Sequence, residues 1–455
     1  MDKFVDGAKA AELVGAAGAE FAVVRNPDYV HPPFEIYPLA AKITTPRERI
    51  RAIVTDMDGT TTTTEALCLH SLEFMVRRIS GRMSRAKWAG LDRAADYPHI
   101  IGNSTTKHVE YLIEKYQAEI KPQEMTRAFV HSALWFLAFG KDEGRVREVR
   151  NNLVNLGCGA MLDDPRLKGL LEKKRVNEKE VSDIASTFVK SHGRKFHADT
   201  FTLTVRAAID IYYQRYHEIL AAIQRGQGEK LSEELLGAAG RHLVEPLAGV
   251  GVFLALVKGW LGESVRKLVP DLMTSFRVSC PEECAELDIG AATEKLVRVG
   301  KKFESEPARI GIVTSSIFYE ANIVMTAVFD LLRKQVEAWP VAKEKKDILR
   351  EKFSAYQNVY DGVVTATDSS EIRLKPHRDL YSIALHQLGV APGRFDEVIG
   401  FEDSESGTIA IRAAGIGLCV AVPFPESMGH DLRAASFVLR GGLPEALLRY
   451  NLFVK

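Results

Sequence analysis

The segment Ile50-Arg51-Ala52-Ile53-Val54-Thr55-Asp56-Met57-Asp58-Gly59-Thr60 joins a short apolar run to two acids and a glycine. Its apolar residues, several of them β-branched, are typical of a buried strand. Carboxylates at the carboxyl end of such a strand add nothing to its packing. They suit a ligand, because open α/β sheets bind ligands at that edge. The segment therefore predicts a binding site directly after the strand.

Later segments repeat this arrangement, in which polar side chains follow an apolar run. The polar residues are, in chain order, Thr314 and Ser315, then Lys375, then Glu402 with Asp403. Helical patterns separate these segments, and alternating strands and helices indicate an α/β fold with a doubly wound, Rossmann-like parallel sheet. Because the carboxyl ends of parallel strands meet at one edge, we expect these side chains to form one site.

The composition is that of an ordinary globular protein. The chain has 455 residues, 46% of them hydrophobic and 26% charged, and a formal net charge of zero. A neutral chain argues against general nucleic-acid binding, and no stretch is apolar and long enough to span a bilayer. Five scattered cysteines indicate reduced thiols, and the N-terminus lacks a signal-peptide pattern. We therefore expect a cytoplasmic protein without nucleic-acid or membrane partners; homo-oligomerisation stays open.

The patterns divide the chain into three parts. Residues 1–46 form an extension that we expect to pack on the core, and the sequence assigns it no function. Residues 47–64 and 301–455 carry the strands of the α/β core. Residues 65–300 are mainly helical and interrupt the sheet, so they predict a large helical insert with hinges near residues 62–65 and 300–307.

Four groups of polar residues are called stations below: Asp56 with Asp58, Thr314 with Ser315, Lys375, and Glu402 with Asp403. In this order, the four stations resemble those of the haloacid dehalogenase-like (HAD) superfamily of phosphotransferases. The last station, Gly400-Phe401-Glu402-Asp403-Ser404-Glu405-Ser406-Gly407, is similar to that of the β-phosphoglucomutase-like branch. The resemblance covers about residues 49–65 and 310–423, and leaves out the extension and most of the helical insert. It implies phosphoryl transfer from a small phosphorylated substrate, with the insert acting as a cap.

This resemblance also implies roles for the acids. Asp56 would be the nucleophile that forms an aspartyl-phosphate, and Asp58 would protonate the leaving oxygen and then activate water. Magnesium would be bound by Asp56, the main-chain carbonyl of Asp58, and Asp403. Glu402 would be a further ligand, direct or through water, or else an acid that faces solvent.

The other stations would supply positive charge and hydrogen-bond donors around the phosphoryl oxygens. Thr314 would donate its hydroxyl, and Ser315 is a second candidate beside it. Lys375 would balance the charge of Asp56 and of the phosphate. The alternatives are that Thr314 caps the end of its strand and that Lys375 is a surface lysine.

The cap-specificity loop of the family would match residues 102–107. It makes Asn103, Thr105, Lys107 and His108 candidates for substrate contact, and cap closure would bring this loop over Asp56 and Asp58. The insert is much longer than usual for the family, so further details of the cap do not transfer.

The activity that the resemblance implies is that of a phosphatase. Its mutase branch has a histidine twelve residues after the nucleophile, where this chain has Cys68, with His70 two residues further on. This departure disfavours a phosphomutase, which stays an alternative. A non-catalytic binding or scaffold protein that uses the cap is another, against which the intact stations argue.

Overall fold

The structure is a computed structural model, and it describes residues 4–26, 30–84, 86–370 and 373–453. The chain divides into two compact units. One comprises Met1–Thr64 with Val244–Lys455, and the other is Glu65–Leu243. The first is called the sheet unit and the second the helical unit below.

The described residues form both strands and α-helices. The strands are β1 (Phe21–Arg25), β2 (Phe34–Pro38), β3 (Ala52–Asp56), β4 (Arg309–Val313), β5 (Gly362–Val364), β6 (Val398–Glu402), β7 (Leu418–Ala421) and β8 (Phe437–Val438). The α-helices are α1 (Gly7–Ala17), α2 (Glu65–Ser80), α3 (Tyr97–Ile100), α4 (Thr105–Lys115), α5 (Pro122–Phe139), α6 (Glu143–Asn155), α7 (Pro165–Leu171), α8 (Glu178–His192), α9 (Phe201–Gln224), α10 (Ser232–Leu236), α11 (Val250–Val257), α12 (Val269–Ser279), α13 (Pro281–Ala285), α14 (Ile289–Ser305), α15 (Phe318–Ala338), α16 (Lys343–Lys352), α17 (Asp379–Gln387), α18 (Glu405–Ala413) and α19 (Gly442–Leu448).

The sheet unit is built on a six-stranded parallel sheet in the order β5-β4-β3-β6-β7-β8. Strands β3, β6 and β7 are buried along their whole length, as expected for apolar runs covered on both faces. Strand β3 is central, and the chain builds outward from it first on one side and then on the other. That reversal creates a switch point between β3 and β6. The predicted α/β fold with a doubly wound sheet is confirmed.

Register explains why the polar stations meet. Asp56 is the last residue of β3 and pairs with Val313, so Thr314 follows one residue beyond it on the neighbouring strand. On the other side, Thr55 pairs with Phe401, which places Glu402 beside Asp56. The parallel strands therefore end together and deliver three stations to one edge.

The helical unit is organised around α9, which packs against α2, α4 and α5. Its buried residues recur at helical spacing and include Val205, Ile209, Tyr212 and Leu220. This unit ends at Leu243, whereas the sequence places the end of the insert near residue 300.

Helix α11 accounts for this difference. All eight of its residues are buried, and Phe253 contacts the ring of Phe401 on β6, with a centroid distance of 5.2 Å. A helix that is apolar all round is buried on every side, and here the sheet provides part of that cover. Residues 244–300 therefore belong to the sheet unit.

The N-terminal segment is more structured than its sequence predicts. Helix α1 ends at Ala17, and β1 and β2 then form an antiparallel hairpin. Ala22, Val24 and Tyr37 of this hairpin form a buried cluster with Ala413 of α18.

Two further observations concern the cysteines and the apolar character of the helices. The five cysteines are free thiols, and four of them are buried. Among the described residues, no helix has both the length and the apolar character that crossing a membrane requires.

Candidate active site

The site begins at the turn after β3, where Asp56, Asp58 and Gly59 follow one another closely. Gly59 has a φ of 79°. A Cβ at Gly59 would lie 2.5 Å from the ring of Phe424 and 3.0 Å from the carboxylate of Asp403. The turn therefore requires glycine both for its left-handed backbone and for the close approach of Asp403.

Lys375 lies buried at the centre of the site. Its ammonium contacts the carboxylate of Asp56 and lies 2.6 Å from Oε1 of Glu402. Burial opposes the charged form of the lysine, but the two carboxylates outweigh that effect and raise the pKa of Lys375 above its ordinary value. Lys375 is therefore a charged residue inside the site and not a surface lysine.

Glu402 is fully buried, which excludes the solvent-facing alternative for this acid. Its Oε1 accepts from Lys375 and, at 3.2 Å, from the Tyr381 hydroxyl. Its Oε2 accepts from the amides of Asp403 and Ser404, both at 2.9 Å, and from the Ser404 hydroxyl at 2.8 Å. Burial raises the pKa of Glu402, but Lys375 and Ser404 outweigh it, so the pKa lies below its usual value.

Asp403 has a different environment from its neighbour. Its Oδ1 accepts from the Thr60 hydroxyl at 3.2 Å, while Oδ2 is buried and has no hydrogen-bond partner among the described residues. Burial and the nearby Glu402 raise the pKa of Asp403 well above its usual value, although Lys375 opposes this. A buried carboxylate oxygen without a donor carries a large desolvation cost unless a cation or a proton occupies it.

The same reasoning applies to the group as a whole. Asp56, Glu402 and Asp403 each offer a carboxylate oxygen, and these oxygens lie within 4.8 Å of one another. Burial, followed by repulsion from the other acids, raises the pKa of Asp56 well above its usual value, in spite of Lys375. A hard divalent cation suits such a set of oxygen ligands. The residues therefore fit the predicted magnesium, with Asp56 and Asp403 better placed to bind it than Glu402, whose oxygens already have protein donors.

Asp58 follows Asp56 by two residues in the turn after β3. Its Oδ2 accepts from the Thr314 hydroxyl at 2.8 Å, and its Oδ1 accepts from the hydroxyl of Thr64. Ser316 adds a hydroxyl 3.5 Å from Oδ2, and its amide donates to Thr314 at 3.0 Å. Ser315 is partly buried next to Thr314. Thr314 therefore orients Asp58, in addition to the phosphate-binding role that the sequence predicts for it.

The predicted cap residues lie in the helical unit, at the start of α4. Asn103 donates to the carbonyl of His99 at 3.3 Å, and Lys107 is exposed. His108 is buried with its Nδ1 3.9 Å from the sulfur of Cys68, and burial lowers the pKa of His108 to about 4. Thr105 accepts from the Tyr213 hydroxyl at 3.3 Å. The roles of Asn103, Thr105, Lys107 and His108 in substrate contact stay predictions.

Several residues of the site were not identified from sequence. Thr60 donates its hydroxyl to Asp403, and Thr64 donates its hydroxyl to Asp58. Tyr381 and Ser404 bind Glu402. The sequence could have indicated the hydroxyl residues, because they lie close to an acid along the chain. It could not have indicated Tyr381, because this contact depends on the packing of α17 against the sheet.

Comparisons with known proteins yield likeness to solved structures alone, since no protein-family model and no curated protein matches the chain. CbbY from Rhodobacter sphaeroides in complex with phosphate is 13% identical with a TM-score of 0.37, and the match covers 88% of this chain and 100% of that one. A putative β-phosphoglucomutase from Thermotoga maritima is 15% identical with a TM-score of 0.31, over 88% and 97%. A HAD family hydrolase from Deinococcus radiodurans R1 with bound phosphate and sodium is 14% identical with a TM-score of 0.37, over 89% and 100%. At these identities and TM-scores the matches carry no argument about function, which has to be argued from the site of this chain itself.

Proposed function

We propose that the chain is a magnesium-dependent phosphohydrolase that acts on a small phosphorylated metabolite through an aspartyl-phosphate intermediate. One observation supports this most strongly. The buried carboxylates of Asp56, Glu402 and Asp403 converge at the edge of the sheet, beside the Lys375 ammonium, and one Asp403 oxygen has no hydrogen-bond partner in the described part of the chain. A structural ion pair needs neither the third acid nor the unpartnered oxygen, whereas a site for phosphate and a cation uses both.

The proposed reaction assigns one role to each of the two aspartates Asp56 and Asp58. A carboxylate oxygen of Asp56 attacks phosphorus, and the bond between phosphorus and the leaving oxygen breaks as Asp58 donates a proton to that oxygen. Asp58 then takes a proton from water, which attacks the phosphoryl group and releases inorganic phosphate and free Asp56. Thr314 and Thr64 hold the Asp58 carboxylate in one orientation through both steps.

Lys375 and a bound cation would both offset the negative charge of the carboxylates and the phosphate. When bound, Mg²⁺ would neutralise part of the repulsion between the carboxylates and the incoming phosphate. Asp56, Asp403 and the main-chain carbonyl of Asp58 are the proposed ligands. Lys375 remains paired with Asp56, opposes protonation of that carboxylate and orients it for attack on phosphorus. Asn103, Lys107 and His108 of the helical unit are the proposed determinants of the leaving group.

Hydrolysis of p-nitrophenyl phosphate by the purified chain tests this proposal. We expect turnover that depends on added Mg²⁺, stops with EDTA and returns with excess Mg²⁺. A panel of phosphorylated metabolites at fixed Mg²⁺ then ranks substrates by phosphate release. An isomerised sugar phosphate without phosphate release would favour the phosphomutase. The absence of any turnover would favour a non-catalytic protein and contradict the proposal.

A further inference from the structure

The segment that carries Lys375 is attached to the N-terminal hairpin. Arg373 donates through Nη1 to both carboxylate oxygens of Glu35 on β2, at 3.1 and 2.9 Å. His377 lies on the other side of Lys375, and its Nδ1 is 2.8 Å from the hydroxyl of Tyr37, also on β2. Both flanks of the lysine therefore bind the same strand of the hairpin.

These two attachments belong to one network. The Tyr37 hydroxyl donates to Glu35 Oε2 at 2.5 Å, which leaves its oxygen to accept from His377. This contact keeps the pKa of Glu35 below its usual value, while burial and Glu35 raise the pKa of Tyr37 to about 12. Arg373 is bound on its other side by Asp379 at the start of α17, at 2.8 and 2.9 Å. The segment is thus held between the hairpin and α17.

The hairpin is itself fixed to the sheet unit by contacts that do not involve this segment. Tyr37 is buried with Ala22 and Val24 against Ala413. Next to Ala413 on α18, the buried Arg412 donates to the carbonyl of Ala40 at 2.9 Å and pairs with Glu20 at 2.6 Å. The hairpin can therefore act as a rigid support.

Lys375 needs such a support. Its ammonium sits on a flexible four-carbon stem, and residues 373–378 belong to neither a strand nor an α-helix. Its contacts with Asp56 and Glu402 require that the backbone of this segment be held in place. Pre-organised charge lowers a barrier because it needs no rearrangement at the moment of reaction.

We propose that Glu35 and Tyr37 are positioning residues for Lys375, so that the N-terminal hairpin is a working part of the active site. This inference rests on the proposed function, because it assigns the hairpin a role in that reaction. Tyr37→Phe removes the hydroxyl that binds His377, and Glu35→Gln removes the charge and one of the two oxygens that accept from Arg373, while the shape of each side chain is kept. Glu20→Gln is the matched control, since it removes a contact that fixes the hairpin without touching residues 373–378.

Two measurements test the inference together. In steady-state hydrolysis of p-nitrophenyl phosphate, we expect Tyr37→Phe and Glu35→Gln each to lower kcat about three- to tenfold, the effect of one net hydrogen bond. KM should stay near the wild-type value, and Glu20→Gln should leave kcat unchanged. In hydrogen exchange of the full chain without substrate, peptides that cover residues 373–378 should exchange faster in the first two variants than in the control.

Each other outcome has a definite meaning. Unchanged kcat in both variants overturns the inference, even if exchange rises, because the attachment then has no catalytic effect. An equal loss of kcat in Glu20→Gln also overturns it, since general loosening of the hairpin would explain the result. If the wild-type chain hydrolyses no phosphate ester, the proposed function fails, and unchanged exchange in the variants separately refutes the attachment.

Discussion

The Lys375 ammonium lies 2.6 Å from Oε1 of Glu402, and the same ammonium contacts the carboxylate of Asp56. One lysine thus connects the ends of two neighbouring strands, β3 and β6. Glu402 is held by the amides of Asp403 and Ser404 and by the Ser404 hydroxyl, and it orients the lysine. The lysine in turn orients Asp56, the proposed nucleophile. Asp403 Oδ1 accepts from Thr60, whereas Asp403 Oδ2 has no hydrogen-bond partner among the described residues and is available to a cation.

Gly407 is predicted to tolerate no side chain. A Cβ there would lie 1.7 Å from Glu402 Oε1, so Gly407→Ala must displace the acid that holds Lys375. We expect a loss of about 1–3 kcal/mol in the free energy of unfolding and a matching fall in kcat. Urea unfolding of the full chain measures the first. Gly393→Ala, where a Cβ meets nothing within 4 Å, is the control and should unfold like wild type.

Asp403→Asn should weaken magnesium binding. The variant keeps the shape of the side chain but loses a charged oxygen ligand, so we expect more than the roughly 10- to 100-fold loss that a supporting residue causes. Titration calorimetry with Mg²⁺ measures the affinity without any substrate. Glu405→Gln, which removes an acid two residues away but outside the cluster, should bind Mg²⁺ normally. Equal affinities for wild type and Asp403→Asn would exclude Asp403 as a ligand.

Asp210 in the helical unit predicts a dependence of stability on pH. Burial raises the pKa of Asp210 to about 7, with Arg145 and Asn152 compensating only in part. The unfolded chain releases this proton near pH 4, so the contribution of Asp210 to stability is complete below that pH and is lost as pH rises to about 7. Between these pH values, the free energy of unfolding falls by about 1 kcal/mol per pH unit because of Asp210.

Asp210→Asn should remove that dependence. Unfolding of both proteins is measured at about pH 5 and pH 8, and the variant should gain stability relative to wild type at the higher pH. A constant difference between the two proteins at both pH values would show that Asp210 titrates normally.

Lys107→Ala is expected to change the order of preferred substrates. The side chain is exposed at the start of α4, and the resemblance assigns this part of the chain to recognition of the leaving group. In the metabolite panel, kcat/KM should change unequally among substrates, while turnover of p-nitrophenyl phosphate stays near wild type. A uniform change across the panel would argue against a role in specificity.

The core of the site could be predicted from sequence because its information is local. The stations of Asp56, Thr314 and Glu402 each lie at the end of a buried apolar run, and parallel pairing then determines that these three residues share one edge. The contact between Lys375 and Glu402 could not be derived in this way, since it depends on how the segment before α17 crosses the sheet edge.

Other features of the fold could not be predicted from the sequence, and the physical reason differs from one feature to the next. The hairpin of β1 and β2 is short, and its exposed Val23 and Ile36 obscure the alternation that would mark a strand. Strand β8 has two residues, too few for any pattern. Helix α11 lies within residues 65–300, which are predicted to be mainly helical, but its apolar composition does not show which unit covers it.

The central claim is that Asp56 is the nucleophile, and Asp56→Asn tests it most directly. The amide has nearly the shape of the acid but is a poor nucleophile, so the variant should fold like wild type by circular dichroism. Hydrolysis of p-nitrophenyl phosphate with saturating Mg²⁺ is measured for both proteins. The account predicts that Asp56→Asn has no detectable turnover under conditions where wild type is active. Magnesium-dependent turnover near the wild-type rate in this variant would contradict it.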